Sequence, residues 1–378
     1  MAKRHSSKSQ STERPAATDR RAFLSTLAAG AGAATVLAAL GTTRSAVAQQ
    51  AGGGSPTGAP AAGAGGRPNR PPPPPEPAVS QPAPLAEVKG KTAYVTAASD
   101  GIGLGIARAF VNAGMNVVIG YRNEKRLAEA MPLFKKTDPV FPVKHDVVGR
   151  DGWVQLLDQV KAKYGKLHVV VNNAGIKTFA KASEAKPEEW QTSLDVHLGA
   201  IYHSVAVCLP HMKEHNEGGH FCTTSSMSGL LPAVTAGVYT TTKFAATAIM
   251  EALRIELEGT NIGTSAFCPG GVTTDNLPPG TRPPLPDGRQ PPAFGQGLMD
   301  PLEAGERVLN GIRNNDLFII SHTEFQDGIR ERANAILDSC PDEPVPEGRY
   351  PPEIRTRHTG IYPRESTHRK IKRKSYRG

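Results

Sequence analysis

From Lys91 onward the chain alternates two hydrophobic patterns. Short β-prone runs that are apolar on both faces give way to segments whose apolar residues recur every three or four positions, with turn residues between them. Continuous apolar runs suit strands buried on both faces, and the longer spacing suits helices that cover them. The runs are Lys91–Thr96, Asn116–Tyr121, Val140–Asp146, Leu167–Asn172, Gly219–Ser225, Gly263–Cys268 and Leu317–Ile320. Helices are predicted over Leu104–Ala113, Asn123–Lys135, Gly152–Tyr164, Pro187 to about His215 with a break near Pro210, Val238–Leu257, and Pro301–Arg313. This alternation predicts an α/β domain whose parallel sheet is covered on both faces.

The rest of the chain reads differently. Gln49 to Leu85 is mostly Ala, Gly, Pro and Ser, which cannot bury a core and predicts a linker. Residues 87–339 form the one globular domain. From Cys340 to Gly378 the chain is Pro- and Arg-rich, and is expected to be disordered or draped over the surface. At the other end, Arg20-Arg21-Ala22-Phe23-Leu24 precedes an uncharged, Ala- and Gly-rich stretch that ends at Ala46-Val47-Ala48. Charged start, apolar middle and small-residue end predict a signal peptide over residues 1–48, cleaved or retained as a membrane anchor. The paired arginines resemble the twin-arginine type, with Asp19 where Ser or Thr is usual. The mature protein would then be periplasmic.

The formal charge of the 378 residues is +9, but it sits at the ends. Residues 1–48, 49–86 and 341–378 are net +5, +1 and +5, which leaves the globular part at about −2. A folded domain of that charge is no electrostatic footprint for nucleic acid. The basic run Arg369–Arg377 suits an anionic surface, or is a solvated tail. Cys208, Cys222, Cys268 and Cys340 show neither metal-ligand spacing nor a disulfide framework.

Candidate chemistry falls at the ends of the apolar runs. Ala97-Ala-Ser99-Asp-Gly101-Ile102-Gly103 forms a glycine turn between a strand and a helix, a place where backbone meets a pyrophosphate. Arg122 follows the second strand with no acid beside it, which suits the 2′-phosphate of NADP over NAD. Asn172-Asn173 ends the fourth strand, where polar amides need partners. Tyr239 and Lys243 are four residues apart on a predicted helix and so share a face. An ammonium beside the phenol is expected to lower its pKa from about 10. Ser226, delivered by the fifth strand, could hydrogen-bond the same substrate oxygen. The Pro- and Gly-rich stretch Asp275–Gln296 is a candidate substrate loop.

Taken together, Thr96–Gly103, Asn172-Asn-Ala-Gly175, Ser226, Tyr239-x-x-x-Lys243 and Pro269-Gly-Gly-Val-x-Thr274 resemble the short-chain dehydrogenase/reductase family in order and spacing. The resemblance covers about Glu87 to Ser321. It implies a single Rossmann-like, doubly wound domain with a seven-stranded parallel sheet, exchanging a hydride between NAD(P) and an alcohol or carbonyl. Tyr239 would be the general acid/base. Lys243 would bind the nicotinamide ribose and lower the tyrosine pKa, and Ser226 would orient the substrate carbonyl. Ala97, Ser99, Gly101 and Ile102 would line the pyrophosphate turn. Asp146, with Val147, would meet the adenine, and Asn173 the nicotinamide side. The helices around Glu188–His203 and Tyr239–Leu257 would build dimers or tetramers.

Two positions depart from the family pattern. Ala97 stands where Gly is usual, tolerable if its φ is negative. His197 stands where the family has an Asn that holds a relay water. A histidine relay would be pH-sensitive near about 6.5. A second reading, an exported cofactor-binding protein without turnover, stays open on these two departures.

Overall fold

The computed structural model describes residues 82–233, 235–273, 298–343 and 360–372. The signal-peptide segment, most of the linker, Thr274 and the Asp275–Gln296 stretch lie outside the described residues. Strands β1 (Thr92–Val95), β2 (Asn116–Tyr121), β3 (Val140–Lys144), β4 (Val169–Asn172), β5 (Gly219–Thr224), β6 (Ile262–Cys268) and β7 (Phe318–Ile320) form one seven-stranded sheet. Their order is β3-β2-β1-β4-β5-β6-β7, and every pairing is parallel. The chain therefore winds outward twice from the β1–β4 boundary, as a doubly wound sheet does.

Helices α1 (Gly101–Asn112), α2 (Glu124–Ala130), α3 (Arg150–Tyr164), α4 (Pro187–Leu194), α5 (Ala200–His215), α6 (Gly237–Glu256) and α7 (Pro301–Asn314) cover the sheet. On one face Ile106 and Phe110 of α1 meet Val308 and Ile312 of α7 over β1, β2 and β6. Here α1 and α7 touch backbone to backbone. A Cβ on Gly105 would fall 1.8 Å from Pro301 O, and one on Gly305 2.3 Å from Gly105 O. No larger residue fits either position. On the other face Trp153, Met212, Met250 and Leu253 fill the core. Trp153 is fully buried, donates from Nε1 to Val147 O at 3.0 Å, and packs edge-on against Tyr94 and His145. Such ring pairs each add about 0.5–1.5 kcal/mol beyond area burial.

Three expectations are corrected here. The predicted break near Pro210 is absent, since α5 runs through it to His215. The irregularity lies earlier, where Asp195–Gly199 forms a π-turn between α4 and α5. Apolar residues resume their spacing on both sides of that turn, so periodicity alone did not locate it. Second, the chain after β7 forms α8 (Gln326–Asp338), which no predicted element covered. Ile329, Ala333, Ile336 and Leu337 recur at helical spacing there, but no residue is fully buried and Ile336 and Leu337 stay exposed. Third, of the two expectations for the tail, disordered or draped over the surface, Ile361–Lys372 departs from the first: it lies on the domain as helix α9. Ile361, Glu365 and His368 are buried against the domain, and ion pairs hold the helix where apolar residues are few.

Burial also sets the charge of two histidines. His145 Nδ1 is 2.5 Å from Tyr94 Oη, and His168 Nδ1 accepts from Thr92 N at 3.1 Å. Desolvation, the largest cause in both, pushes each pKa down to about 4. Between about 6.5 and 4 the unfolded chain therefore takes up protons that the folded one refuses. Their contribution is complete above pH 6.5 and is lost as pH falls. Stability should drop between pH 7 and pH 5 by about 1–2 kcal/mol per histidine, read as a falling urea midpoint. A midpoint unchanged over that range would contradict the neutral burial of both rings.

Candidate active site

The carboxyl ends of β1, β4 and β5 converge on Asn173. Thr96 Oγ1 accepts from the N–H groups of both Asn173 and Ala174, each at 2.7 Å, and donates to Val171 O at 3.3 Å. The Asn173 side chain donates to Thr96 O at 3.2 Å and accepts from Thr224 Oγ1 at 3.1 Å. Its amide is thus fixed at the β1–β4 boundary. The need for partners at this strand end was legible in the sequence, whereas Thr96 as their source was not.

On the nucleotide side, the turn after β1 carries Ala97, Ser99, Gly101 and Ile102 into the start of α1. Asp100, at the N-cap, makes no side-chain cap hydrogen bond, and the first turn holds no acid. The N–H groups there face an anion site of the kind a pyrophosphate fills. A Cβ on Gly103 would lie 2.4 Å from Ala97 O and 2.5 Å from Asn173 Nδ2, so the loop closes against the amide. Ala97 corrects the expectation of a negative φ: its φ is +49°, in the left-handed region. The loop backbone imposes this, and an L side chain pays about 1–2 kcal/mol for it. Arg122 and Asp146 stand at the ends of β2 and β3 and pair loosely with each other at 3.6 Å, both well exposed. Asp146 Oδ1 also accepts from Val148 N at 3.2 Å. Val147 turns its side chain into the core. These residues fit a dinucleotide: an anion cradle at the helix start, and an exposed guanidinium, loosely paired with Asp146, at the end of β2.

Ser226, Tyr239 and Lys243 meet on the other side of Asn173. Ser226 has extended backbone and its Oγ accepts from Ser228 N at 3.1 Å. Lys243 is buried on α6 and donates from Nζ to Thr224 O at 2.8 Å. Its Nζ lies 5.4 Å from the centroid of the Tyr239 ring. Ser225, between β5 and Ser226, donates to Lys243 O at 2.9 Å and so ties strand to helix.

The expected lowering of the tyrosine pKa is not what the geometry yields. Burial, the dominant effect, raises it, and the hydrogen bond from Ser226 pulls the other way. Lys243 is directed at Thr224 O, and its own pKa is pushed down to about 8 by burial. Tyr239 therefore rests as a neutral phenol, the form that donates a proton.

His197 also departs from expectation. It sits in the π-turn and is buried at 3 % exposure. Its Nε2 accepts from Ile176 N at 3.0 Å, which leaves the proton on Nδ1, 2.8 Å from Thr242 Oγ1. Thr242 in turn donates to Tyr239 O at 2.9 Å. Burial first, then the Lys243 ammonium, push its pKa down to about 3. This speaks against a pH-sensitive relay near neutrality: both ring nitrogens are occupied and burial holds the ring uncharged. It joins the loop after β4 to α6 and stacks edge-on to Tyr239 at 5.8 Å.

Further residues belong to the site, and among them only Asn172 carried a signal in the sequence. Phe179 is 63 % exposed, with its ring 6.2 Å from that of Tyr239. Asn172 and Thr223 line a small cavity with Thr96, His197 and Lys243, and their buried polar atoms have no protein partner. Such atoms are ordinarily satisfied by a buried water. Among the described residues, no group of three or more His, Cys, Asp or Glu is placed to hold a metal, and no helix is long and apolar enough to cross a membrane.

The short chain dehydrogenase family profile matches residues 91–282, half of the chain. The chain belongs to the short-chain dehydrogenase family. It is 34% identical over 190 residues to an uncharacterized oxidoreductase of Staphylococcus epidermidis, covering 50% of this chain and 81% of the relative. It is 32% identical to an NADP-dependent (R)-specific alcohol dehydrogenase of Lentilactobacillus kefiri, covering 50% and 75%. Among solved structures, a short chain dehydrogenase/reductase from Burkholderia phymatum in complex with NAD matches with a TM-score of 0.60 and 26% identity, over 69% of this chain and 99% of that one. This short-chain dehydrogenase is therefore an NAD(P)-dependent oxidoreductase acting on alcohol or carbonyl substrates, and the reading without turnover is not favoured.

Replacing Ala97 by Gly should relieve the left-handed strain and raise stability by about 0.5–1 kcal/mol, after the entropy that Gly adds to the unfolded chain. An unchanged denaturation midpoint would show that the loop carries no strain. His197→Asn should slow turnover about 10–100-fold by loosening the joint between Ile176 and Thr242. The pH–rate limbs between pH 5 and 8 should stay where they are, and a limb that moves near pH 6.5 would reinstate a titrating relay.

Proposed function

We propose that this chain is an NADP(H)-dependent alcohol/carbonyl oxidoreductase in which Tyr239 exchanges the substrate proton. The observation that carries this is the convergence of Ser226, Tyr239 and Lys243 beside Asn173 at the carboxyl end of the sheet. The nicotinamide cofactor, when bound, supplies the hydride. The turn from Ala97 to Ile102 would hold its pyrophosphate, and Asn173 and Lys243 would stand on its nicotinamide side. Ser226 fixes the substrate oxygen and stabilises charge that develops on it. Tyr239, a neutral phenol at rest, is matched to protonating that oxygen, which is the carbonyl-reducing direction. The reverse reaction first needs the phenol to lose its proton, and the Lys243 ammonium, 5.4 Å from the ring centroid, favours that loss. Phe179 offers an exposed aromatic face beside Tyr239, which favours a substrate with an apolar or ring-bearing group there.

The NADP preference rests on Arg122, whose guanidinium is 70 % exposed and pairs only loosely with Asp146. The Lentilactobacillus kefiri relative, named for its NADP dependence, supports the same reading. Self-association through α4–α5 and α6 is consistent with the exposed Tyr202 and Ile255 on those helices. Export to the periplasm rests on the segment from Arg20 to Ala48 alone.

Two measurements test the reading. Tyr239→Phe should lower kcat/KM by about 10²–10⁴-fold while leaving cofactor affinity intact; near-wild-type turnover would remove Tyr239 from the chemistry. Titration of nicotinamide fluorescence should show tighter binding of NADPH than NADH, with the gap closing in Arg122→Ala. Equal affinities in the unaltered protein would retire the Arg122 argument and leave the fold and triad untouched.

A further inference from the structure

The tail singled out by its charge is described over residues 360–372. Its helix α9 lies on the last strand of the sheet. Among the described residues, β7 bonds to a neighbouring strand on one side only, through β6. On the open side, the Phe318 N–H points to Glu365 Oε1 at 3.5 Å, and the Leu317 N–H donates to Glu365 Oε2 at 3.0 Å. The Phe318 carbonyl accepts from Arg369. One carboxylate and one guanidinium, a turn apart on α9 and paired at 3.1 Å, thus meet the N–H and the C=O that an eighth strand would have met.

The pair is held from beneath. Asp316, 1 % exposed, receives His368 Nε2 at 3.0 Å and Arg369 Nη1 at 2.8 Å. Ile361 is buried, Tyr362 bonds Glu251 of α6, and Arg364 pairs with Glu258 just beyond it. Arg364 and Arg369 are therefore committed to acids of the domain.

We propose that α9 closes the β7 edge in place of an eighth strand and keeps a second copy of the chain off it. An open edge strand is a template for another chain. Phe318-Ile319-Ile320 is apolar, uncharged and free of proline, and Ile320 is 36 % exposed. The competitor is a second copy because two such edges meet about a twofold axis as one self-complementary surface. The closure is made by ionic side chains and not by a strand, so it can be undone by substitution without touching the sheet.

The test uses the full chain with Glu365→Ala and Arg369→Ala together. Hydrogen exchange at the Leu317 and Phe318 amides should speed up by about tenfold or more, and the mass by light scattering should rise with concentration above that of the unaltered protein. Glu365→Gln, which keeps an acceptor oxygen, should hold both readouts near the unaltered values. Equal exchange rates in the unaltered protein and the double variant would show that α9 does not cap the edge. A mass equal to that of the unaltered protein at every concentration would show that the cap guards nothing. Should the double variant fail to fold, Glu365→Ala alone decides on the same two readouts.

Discussion

A single hydroxyl holds the centre of this molecule together. Thr96 Oγ1 takes the N–H groups of Asn173 and Ala174, where β4 ends beside β1 and the winding of the sheet reverses. Two backbone donors left unpaired there would cost about 1–3 kcal/mol each. The same anchor sets Asn173, whose amide reaches β1 and β5 together. The nucleotide turn closes against that amide on one side, and Thr224, which accepts from Lys243, bonds it on the other. Both halves of the site inherit their position from this point.

Burial shifts every titrating group on the reacting side toward its uncharged form. Burial keeps Tyr239 protonated, draws the Lys243 pKa to about 8, and holds His197 neutral. Each shift has the same origin: a charged form loses water that the protein does not replace. His197 fits this environment because an uncharged imidazole with one donor and one acceptor satisfies Thr242 and Ile176 at once. The π-turn that carries it widens the helix at that spot, a distortion often found where a side chain must be aimed into a site.

At the far edge of the sheet the problem is different, because polar backbone has no neighbouring strand. Asp316 and Glu365 are both buried acids, and the tail supplies the bases that pair with them. Half-buried ion networks of this kind are weak in net stability but costly to leave half made. The basic tail and Asp316 are thus parts of one arrangement, separated by some fifty positions in the chain.

Local pattern by itself determined the parallel α/β domain and the placement of its strands, because strand burial depends on neighbours in sequence. The candidates Ser226, Tyr239, Lys243 and Asn173 took their roles from the resemblance of their motifs to the family. Tertiary structure alone decided the rest. The sign of the Tyr239 pKa shift depends on how much water reaches the ring. The left-handed φ of Ala97 is imposed by the loop around it, and no property of alanine announces it. Phe179 meets Tyr239, and Glu365 meets Phe318, across sixty and forty-seven positions of chain. Solvation and long-range contact are properties of the folded volume, and periodicity along the chain does not encode them.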